Sequence, residues 1–142
     1  MIKQGDIVGY KNGNDFKSAV LENVLYFISK KSNFKIVKLP NKSANKIAVD
    51  SSIDEEAENI TKILIDGNSS VLKKNLPVEG KIIKPLYLFL DEEILLYAKL
   101  KKIKFKEKKN IKNKTENFLD EFEKKHPEVK RAVVNSLLEI YK

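Results

Sequence analysis

The chain has 142 residues, 28 Lys and Arg against 20 Asp and Glu, and a formal net charge of +8. That length suits one domain, and 42% hydrophobic with 34% charged residues excludes a disordered chain. The absence of cysteine excludes a disulfide framework, a cysteine nucleophile and a thiolate-held metal or iron–sulfur site within this sequence.

The basic balance points to an acidic partner, nucleic acid first. Against that stands a Lys-, Asn- and Ile-rich composition, which makes a chain basic without any function. The first six residues are polar, unlike a signal peptide. Apolar windows such as "PLYLFLDEEILLYA" are broken by acids and too short to span a bilayer. A cytoplasmic protein without membrane contact is expected.

Residues 7–10 form a short strand candidate. From Asp15 the pattern turns helical, with Val20, Leu21, Val24, Leu25 and Ile28 on one face and Lys30 and Lys31 at the dipole's negative end. "FKIVKL" (34–39) alternates as a second strand, stopped by Pro40, and "NKSAN" is a loop. "KIAVD" (46–50) is a third strand. "SSIDEEAENITKILIDG" is a helix capped by Ser51 or Ser52, with Asp54, Glu55 and Glu56 in its first turn. Ala57, Ile60, Ile63 and Leu64 form its expected buried face, and Gly67 ends it.

"NSSVLKKNLPVEG" reads as an irregular connection, and "KIIKPLYLF" as a strand-like segment around Pro85. "DEEILLYAKLKKI" is a helix with an acidic start and a basic end. Polar "KFKEKKNIKNK" leads into two last helices. "TENFLDEFEKK" has Thr115 as its expected cap and Phe118, Leu119 and Phe122 on one face. "PEVKRAVVNSLLEIYK" begins with Pro127 and buries Val129, Ala132, Val133, Leu137 and Ile140. Strands alternating with helices predict an α/β fold: a small parallel sheet of four or five strands, helices on both faces, and a helical C-terminal extension. The expected division is an α/β unit over 1–110 and a helical hairpin over 111–142 packed on it.

In a parallel sheet, ligands sit beyond the carboxyl ends of the strands. Two loops leave such ends, 11–16 and 50–56, and each opens a helix whose N-terminal N–H groups favour anions. Asp54 and Glu55 suit Mg²⁺ bridged to phosphates; ordinary capping explains the same residues. His126 is a turn residue before Pro127, and no serine has a partner base for a triad.

Residues 99–114 carry nine lysines and one acid, Glu107. A phosphate backbone would neutralise such a run, with salt-dependent affinity, and Phe105 within it suits stacking or packing. Lys101, Lys102, Lys104, Lys106, Lys108, Lys109, Lys112 and Lys114 are the candidate RNA contacts. A solvated segment is the simpler alternative.

The order of these pieces resembles the PP-loop, or N-type ATP pyrophosphatase, superfamily, most closely its tRNA 2-thiolation branch. That family's phosphate loop is Ser-Gly-Gly-Lys-Asp-Ser. Lys11, Asn12, Gly13, Asn14, Asp15 and Phe16 stand in its place, and only Gly13 and Asp15 match. The family's Gly-His-Asn-Leu-Asp-Asp-Glu-Ala-Glu-Thr motif is similar to "DSSIDEEAEN" (50–59): Asp54, Glu56, Ala57 and Glu58 match and Glu55 is a conservative change. "LIDGNSSVL" resembles its Leu-Leu-Arg-Gly-Asp run, and "IKPLYLFLDEEILLYAKLKKIKF" its Lys-Pro-Leu segment and following helix. "ENFLDEFEKKHPEVKRAVVNSLLEI" is similar to its last two helices, which favours thiolation over lysidine synthesis. The passage from residue 34 to 50 is too short for the family's extra β-α unit.

The resemblance implies a degenerate member of a HUP, Rossmann-like fold. The loop lysine and hydroxyls are gone, and the family's catalytic cysteines and zinc modules have no counterpart in these residues. Vestigial nucleotide-site residues would be Lys11, Asn12, Gly13, Asn14, Asp15, Asp54 and Glu55, with no cofactor bound and no catalytic residue or metal ligand kept. The implied role is non-catalytic: a partner or tRNA-binding subunit in 2-thiolation of wobble uridine. It would bind tRNA, an active PP-loop thiolation enzyme, or both. The tail helices would carry the protein contact, in a homodimer or a heterodimer. The alternatives are an enzyme that binds ATP and Mg²⁺ through a remodelled loop and adenylates a tRNA base, and a nucleotide-sensing α/β domain.

Overall fold

The computed structural model describes residues 1–107 and 111–142. Five short strands run β1 (Ile7–Tyr10), β2 (Lys35–Lys38), β3 (Lys46–Ala48), β4 (Val78–Glu79) and β5 (Ile82–Ile83). They form one sheet in the order β2-β1-β3-β5-β4. The β1–β2, β1–β3 and β3–β5 pairs are parallel, and β4 closes an antiparallel hairpin on β5. This is the mostly parallel α/β class that the alternating elements predict.

The period of two decides which face each strand residue meets. Val8, Tyr10, Ala48 and Ile83 are buried against α1 (Phe16–Ser32) and α3 (Asp91–Leu100). From α1 they meet Val20, Leu21 and Leu25, and from α3 Ile94 and Ala98. The opposite side of β1 carries Gly9, where the β2-to-β3 crossover passes. A Cβ on Gly9 would lie 2.6 Å from Leu39 Cδ2 and 3.0 Å from Ala44 Cβ. The missing side chain thus lets a seven-residue loop, 39–45, cross β1 directly. That is how the chain joins β2 to β3 without a helix.

A second core contains no strand residue. Ile53, Ala57 and Ile60 of α2 (Ile53–Ile65) pack with Leu72, Tyr87, Leu119 of α4 (Lys114–Lys125), and Val134 and Leu137 of α5 (Val129–Ile140). Burying a side chain of this size stabilises by about 1.5–3 kcal/mol, so these helices are held chiefly by one another. A buried ion pair ties α2 to the end of β5. Lys84 Nζ lies 2.8 Å from Glu56 Oε1 and donates to the Lys74 carbonyl, also at 2.8 Å. Ser51 Oγ donates to the same Glu56 oxygen at 2.5 Å.

Several expectations are corrected. The connection after α2 is not irregular: it holds a 3-10 helix, Ser69–Asn75, and then β4. Leu64 is exposed, because α2 turns Ile53, Ala57, Ile60 and, in part, Ile63 inward. Asn113, not Thr115, caps α4: its Oδ1 accepts the Glu116 N–H at 3.0 Å while the Glu116 carboxylate accepts the Asn113 N–H at 2.9 Å. Only Leu119 of the expected face of α4 is buried; Phe118 and Phe122 are exposed. Pro127 lies in the turn before α5, which buries Lys130, Val134 and Leu137 and leaves Ala132 and Ile140 exposed. The cause is a charged residue on the inner face, described next. Among the described residues, no helix is long and apolar enough to cross a membrane.

Candidate functional site at the carboxyl ends of β1 and β3

Because β1 and β3 are adjacent and parallel, the two loops singled out in the sequence leave the same edge of the sheet side by side. The β1–α1 loop is closed on itself. Asp15 is the N-cap of α1, and its carboxylate accepts the Ser18 N–H at 3.1 Å. Ser18 Oγ donates to Asp50 Oδ2 at 2.8 Å, joining the two loops. Gly13 rests on Ser18: a Cβ there would lie 2.3 Å from Ser18 Oγ and 2.8 Å from Ser18 Cβ. Lys11, Asn12 and Asn14 are exposed. The start of the basic segment crosses the loop, since the Lys106 N–H donates to the Asn14 carbonyl at 2.7 Å. Phe105 meets Phe16 edge-on, with ring centroids 6.1 Å apart.

The second loop, the N-terminus of α3 and Lys17 of α1 form a linked chain of charged groups. Lys17 Nζ lies 2.9 Å from Glu55 Oε2 and 3.9 Å from Asp91 Oδ1. Ser52 stands at the N-cap of α2, but its hydroxyl donates to Asp91 rather than capping the helix. The Asp91 N–H donates to Asp54 Oδ2 at 2.7 Å. Burial disfavours the Lys17 ammonium, yet Asp91 and Glu55 outweigh it and hold its pKa above the ordinary lysine value. Burial pushes the Asp91 carboxyl up, and Lys17 offsets this only in part.

Deeper in, Lys130 sits among three carboxylates. Its Nζ lies 2.5 Å from Asp54 Oδ1, 2.8 Å from Asp120 Oδ1 and 2.7 Å from Glu123 Oε2. Burial opposes the charge, but these bonds prevail and raise the Lys130 pKa further. Burial likewise works against the Asp120 carboxylate, and the ammonium groups of Lys112 and Lys130 overcome it, leaving its pKa below the usual range. These groups line an open cavity of about 650 Å³ whose lining has seven acids against three lysines, with Phe16, Leu90 and Leu119 among its apolar residues.

The residues present do not fit a nucleoside triphosphate. The helix N-terminus already holds a carboxylate, Ser18 fills the space beneath Gly13, and the neighbouring cavity repels anions. They fit Mg²⁺ no better. Asp54, Asp120 and Glu123 bring carboxylate oxygens within 4.8 Å of one another, a ligand-like spacing, but the Lys130 ammonium occupies their centre. Asp54 binds Lys130 with one oxygen and the Asp91 N–H with the other; Glu55 faces Lys17 instead.

Of the candidate RNA contacts, Lys101, Lys102, Lys104, Lys106 and Lys114 are exposed. Lys112 is held by Asp120 Oδ2 at 2.5 Å on the cavity wall. Lys108 and Lys109 lie outside the described residues. The cluster around Lys130 escaped the sequence reading. Its signal was a lysine at the head of the stripe Lys130, Val134 and Leu137, spaced by four and three.

No protein-family model matches the chain, and neither does any curated protein. Among solved structures it is similar to the U34-tRNA thiolase NcsA from Methanococcus maripaludis with its [4Fe-4S] cluster. The TM-score is 0.75 at 16% identity, over 97% of this chain and 72% of that one. The likeness shows the fold, a mostly parallel α/β sheet of the Rossmann-like kind.

Proposed function

We propose that this chain is a non-catalytic relative of the tRNA 2-thiolation enzymes that binds tRNA, an active thiolation enzyme, or both. The observation that carries the reading is the closed β1–α1 loop. In the place where the fold would hold phosphates, Asp15, Ser18 and Asp50 satisfy one another, and the Phe105–Lys106 stretch lies across the opening. The fold neighbour is named as a tRNA thiolase with an iron–sulfur cluster, and this chain has no cysteine to ligate one. What it does have is an exposed run of lysines beside the closed loop, suited to a phosphate backbone.

Two measurements test the proposal. Titration calorimetry with ATP and Mg²⁺ at millimolar concentration is expected to show no binding heat; saturable heat would return the chain to the ATP-using enzymes. A gel-shift titration with bulk tRNA is expected to show salt-dependent binding that weakens in K101A/K102A/K104A. If neither tRNA nor a cysteine-bearing PP-loop enzyme co-purifies with the tagged chain, the reading fails.

A further inference from the structure

α4 is turned so that Asp120 and Glu123 face inward and its rings face water. Asp120 and Glu123 bind Lys130, and Glu116 is bonded back to Asn113 at the cap. Leu119 alone is buried. On the outer side Phe118 is 58% and Phe122 43% exposed, and His126 follows at the helix end. These three residues are spaced by four, which stacks them along one line of the helix at about 6 Å per step. Phe118 and Phe122 have centroids 6.1 Å apart at an interplanar angle of 32°. Phe122 and His126 are stacked at 5.0 Å and 30°. Lys114 and Lys125 lie at the two ends of the line, are exposed, and have no ion pair among the described residues. Two acids flank the line: Glu121 pairs with Lys124 at 2.8 Å, and Glu128 Oε1 lies 3.8 Å from His126 Nδ1 at its far end.

We infer that Phe118, Phe122 and His126 form a stacking platform for unpaired RNA bases, with Lys114 and Lys125 holding the adjoining phosphates. The inference rests on the RNA-binding reading above and says which part of the RNA this face takes. Aromatic side chains accept any base by its π-face, and they need cations beside them to hold the backbone. Unpaired bases are the accessible ones, since a closed A-form helix hides its base faces. A protein partner fits less well. The centre of a protein interface is depleted of charge, whereas this stripe is one ring wide and has an exposed lysine toward each end. The same helix follows directly on the lysine-rich segment, so one strand of RNA can follow cations first and rings next.

Fluorescence anisotropy on the full chain tests this with a labelled single-stranded RNA of about ten nucleotides and a closed RNA duplex of the same composition. The substituted positions are solvent-facing, and circular dichroism checks that the fold is kept. F118A and F122A are each expected to weaken single-strand binding about fivefold or more, with duplex binding and the salt slope unchanged. F122L, which keeps the apolar surface but not the ring, should behave like F122A, and F122W should bind as well as the native chain. K114A/K125A should lower the salt slope by about one to two. Single-strand affinity in F118A/F122A within about twofold of the native chain overturns the platform, since stacking on two rings is worth far more. So does a native dimer that becomes monomeric in F118A/F122A while keeping its RNA affinity, because the stripe is then a self-association face. If the lysine variants weaken RNA binding and the ring variants do not, the RNA reading stands and only the platform falls. If the native chain binds no RNA at low salt, both fall.

Discussion

Lys130→Met removes the cation that Asp54, Asp120 and Glu123 share. Their oxygens lie within 4.8 Å of one another. At that separation and an effective dielectric of about 20, each pair of charges repels by about 3 kcal/mol. Three such pairs would approach the whole stability of an ordinary domain, about 5–15 kcal/mol. The folded state will therefore take up protons or spread the acids rather than bear the full cost. The three side chains remain 23%, 28% and 26% exposed, so water screens part of the repulsion. The expected loss is at the low end of that for breaking a buried pair, about 3 kcal/mol. For a chain of this length that is a fall of about 10 °C in melting temperature.

The sign of the pH dependence distinguishes this account from a simple packing defect. In the native chain the folded Asp120 carboxyl titrates below its ordinary value. Its stabilisation is complete above about pH 4 and is lost as the pH falls through the lower folded value. In K130M the crowded acids bind protons more tightly folded than unfolded, so stability should rise as the pH falls from 7 toward 5. Calcium ions should also raise the melting temperature of K130M and leave the native chain unchanged, because three carboxylates at this spacing suit a hard cation once the ammonium is gone. Thermal melts followed by circular dichroism, with and without calcium, give all three readings. A K130M melting point within about 2 °C of native at pH 7, or stability that falls between pH 7 and 5, would refute the reasoning.

Gly13→Ala places a Cβ 2.3 Å from Ser18 Oγ and should cost about 1–3 kcal/mol in urea unfolding; adding S18G should relieve the clash, less about 1 kcal/mol for glycine in a helix and about 1 kcal/mol for the lost hydrogen bond to Asp50. Lys84→Met strands the buried Glu56 carboxylate and should cost about 3–5 kcal/mol, whereas K84M/E56M should recover most of it. Leu137→Ala should cost about 2–5 kcal/mol, while Ile140→Ala, at a position 69% exposed, should stay within about 0.5 kcal/mol. A reversal of that last ranking in urea unfolding would mean that α5 packs on the face its apolar residues suggest.

The first three strands, the first three helices and their order were legible because their residues repeat at strand or helix spacing. "IVGY" alternates, and Val20, Leu21 and Leu25 recur at helical spacing, so local pattern and tertiary burial agree. Reading failed where a charge rather than a methyl group decides which side of a helix is inside. In α5 the apolar residues alone select Val129, Ala132, Val133, Leu137 and Ile140; Leu137 is buried and Val133 packs beside it, but Lys130 is drawn in by Asp54, Asp120 and Glu123, and Ala132 and Ile140 are left outside. In α4 the same acids pull their own side inward and push Phe118 and Phe122 out. β4 was illegible for another reason: two residues are too few to show a period, and the strand exists only because β5 is there to pair with it.

The net charge of +8 describes a surface and not a site. The cavity beside the phosphate-loop position is lined by more acids than lysines, and its three lysines are held by neighbouring carboxylates or stand at its rim. Lysines without an acid partner among the described residues, those at 101–106 and at 114 and 125 among them, lie outside it. Field at the exterior draws a polyanion to the chain, and field in the cavity turns a free triphosphate away. Salt screens exposed charges over about 8–10 Å, which limits how far the cavity acids act on a backbone outside. An RNA backbone running over the surface meets chiefly the first field. A nucleotide small enough to enter meets the second. Charge sorted in this way favours a binder of RNA over a consumer of ATP, without appeal to any missing motif. The sorting is also open to reversal: neutralising the cavity acids at its mouth, as in D91N/E92Q, should leave RNA affinity unchanged, and an RNA affinity that rose would show that the two fields overlap.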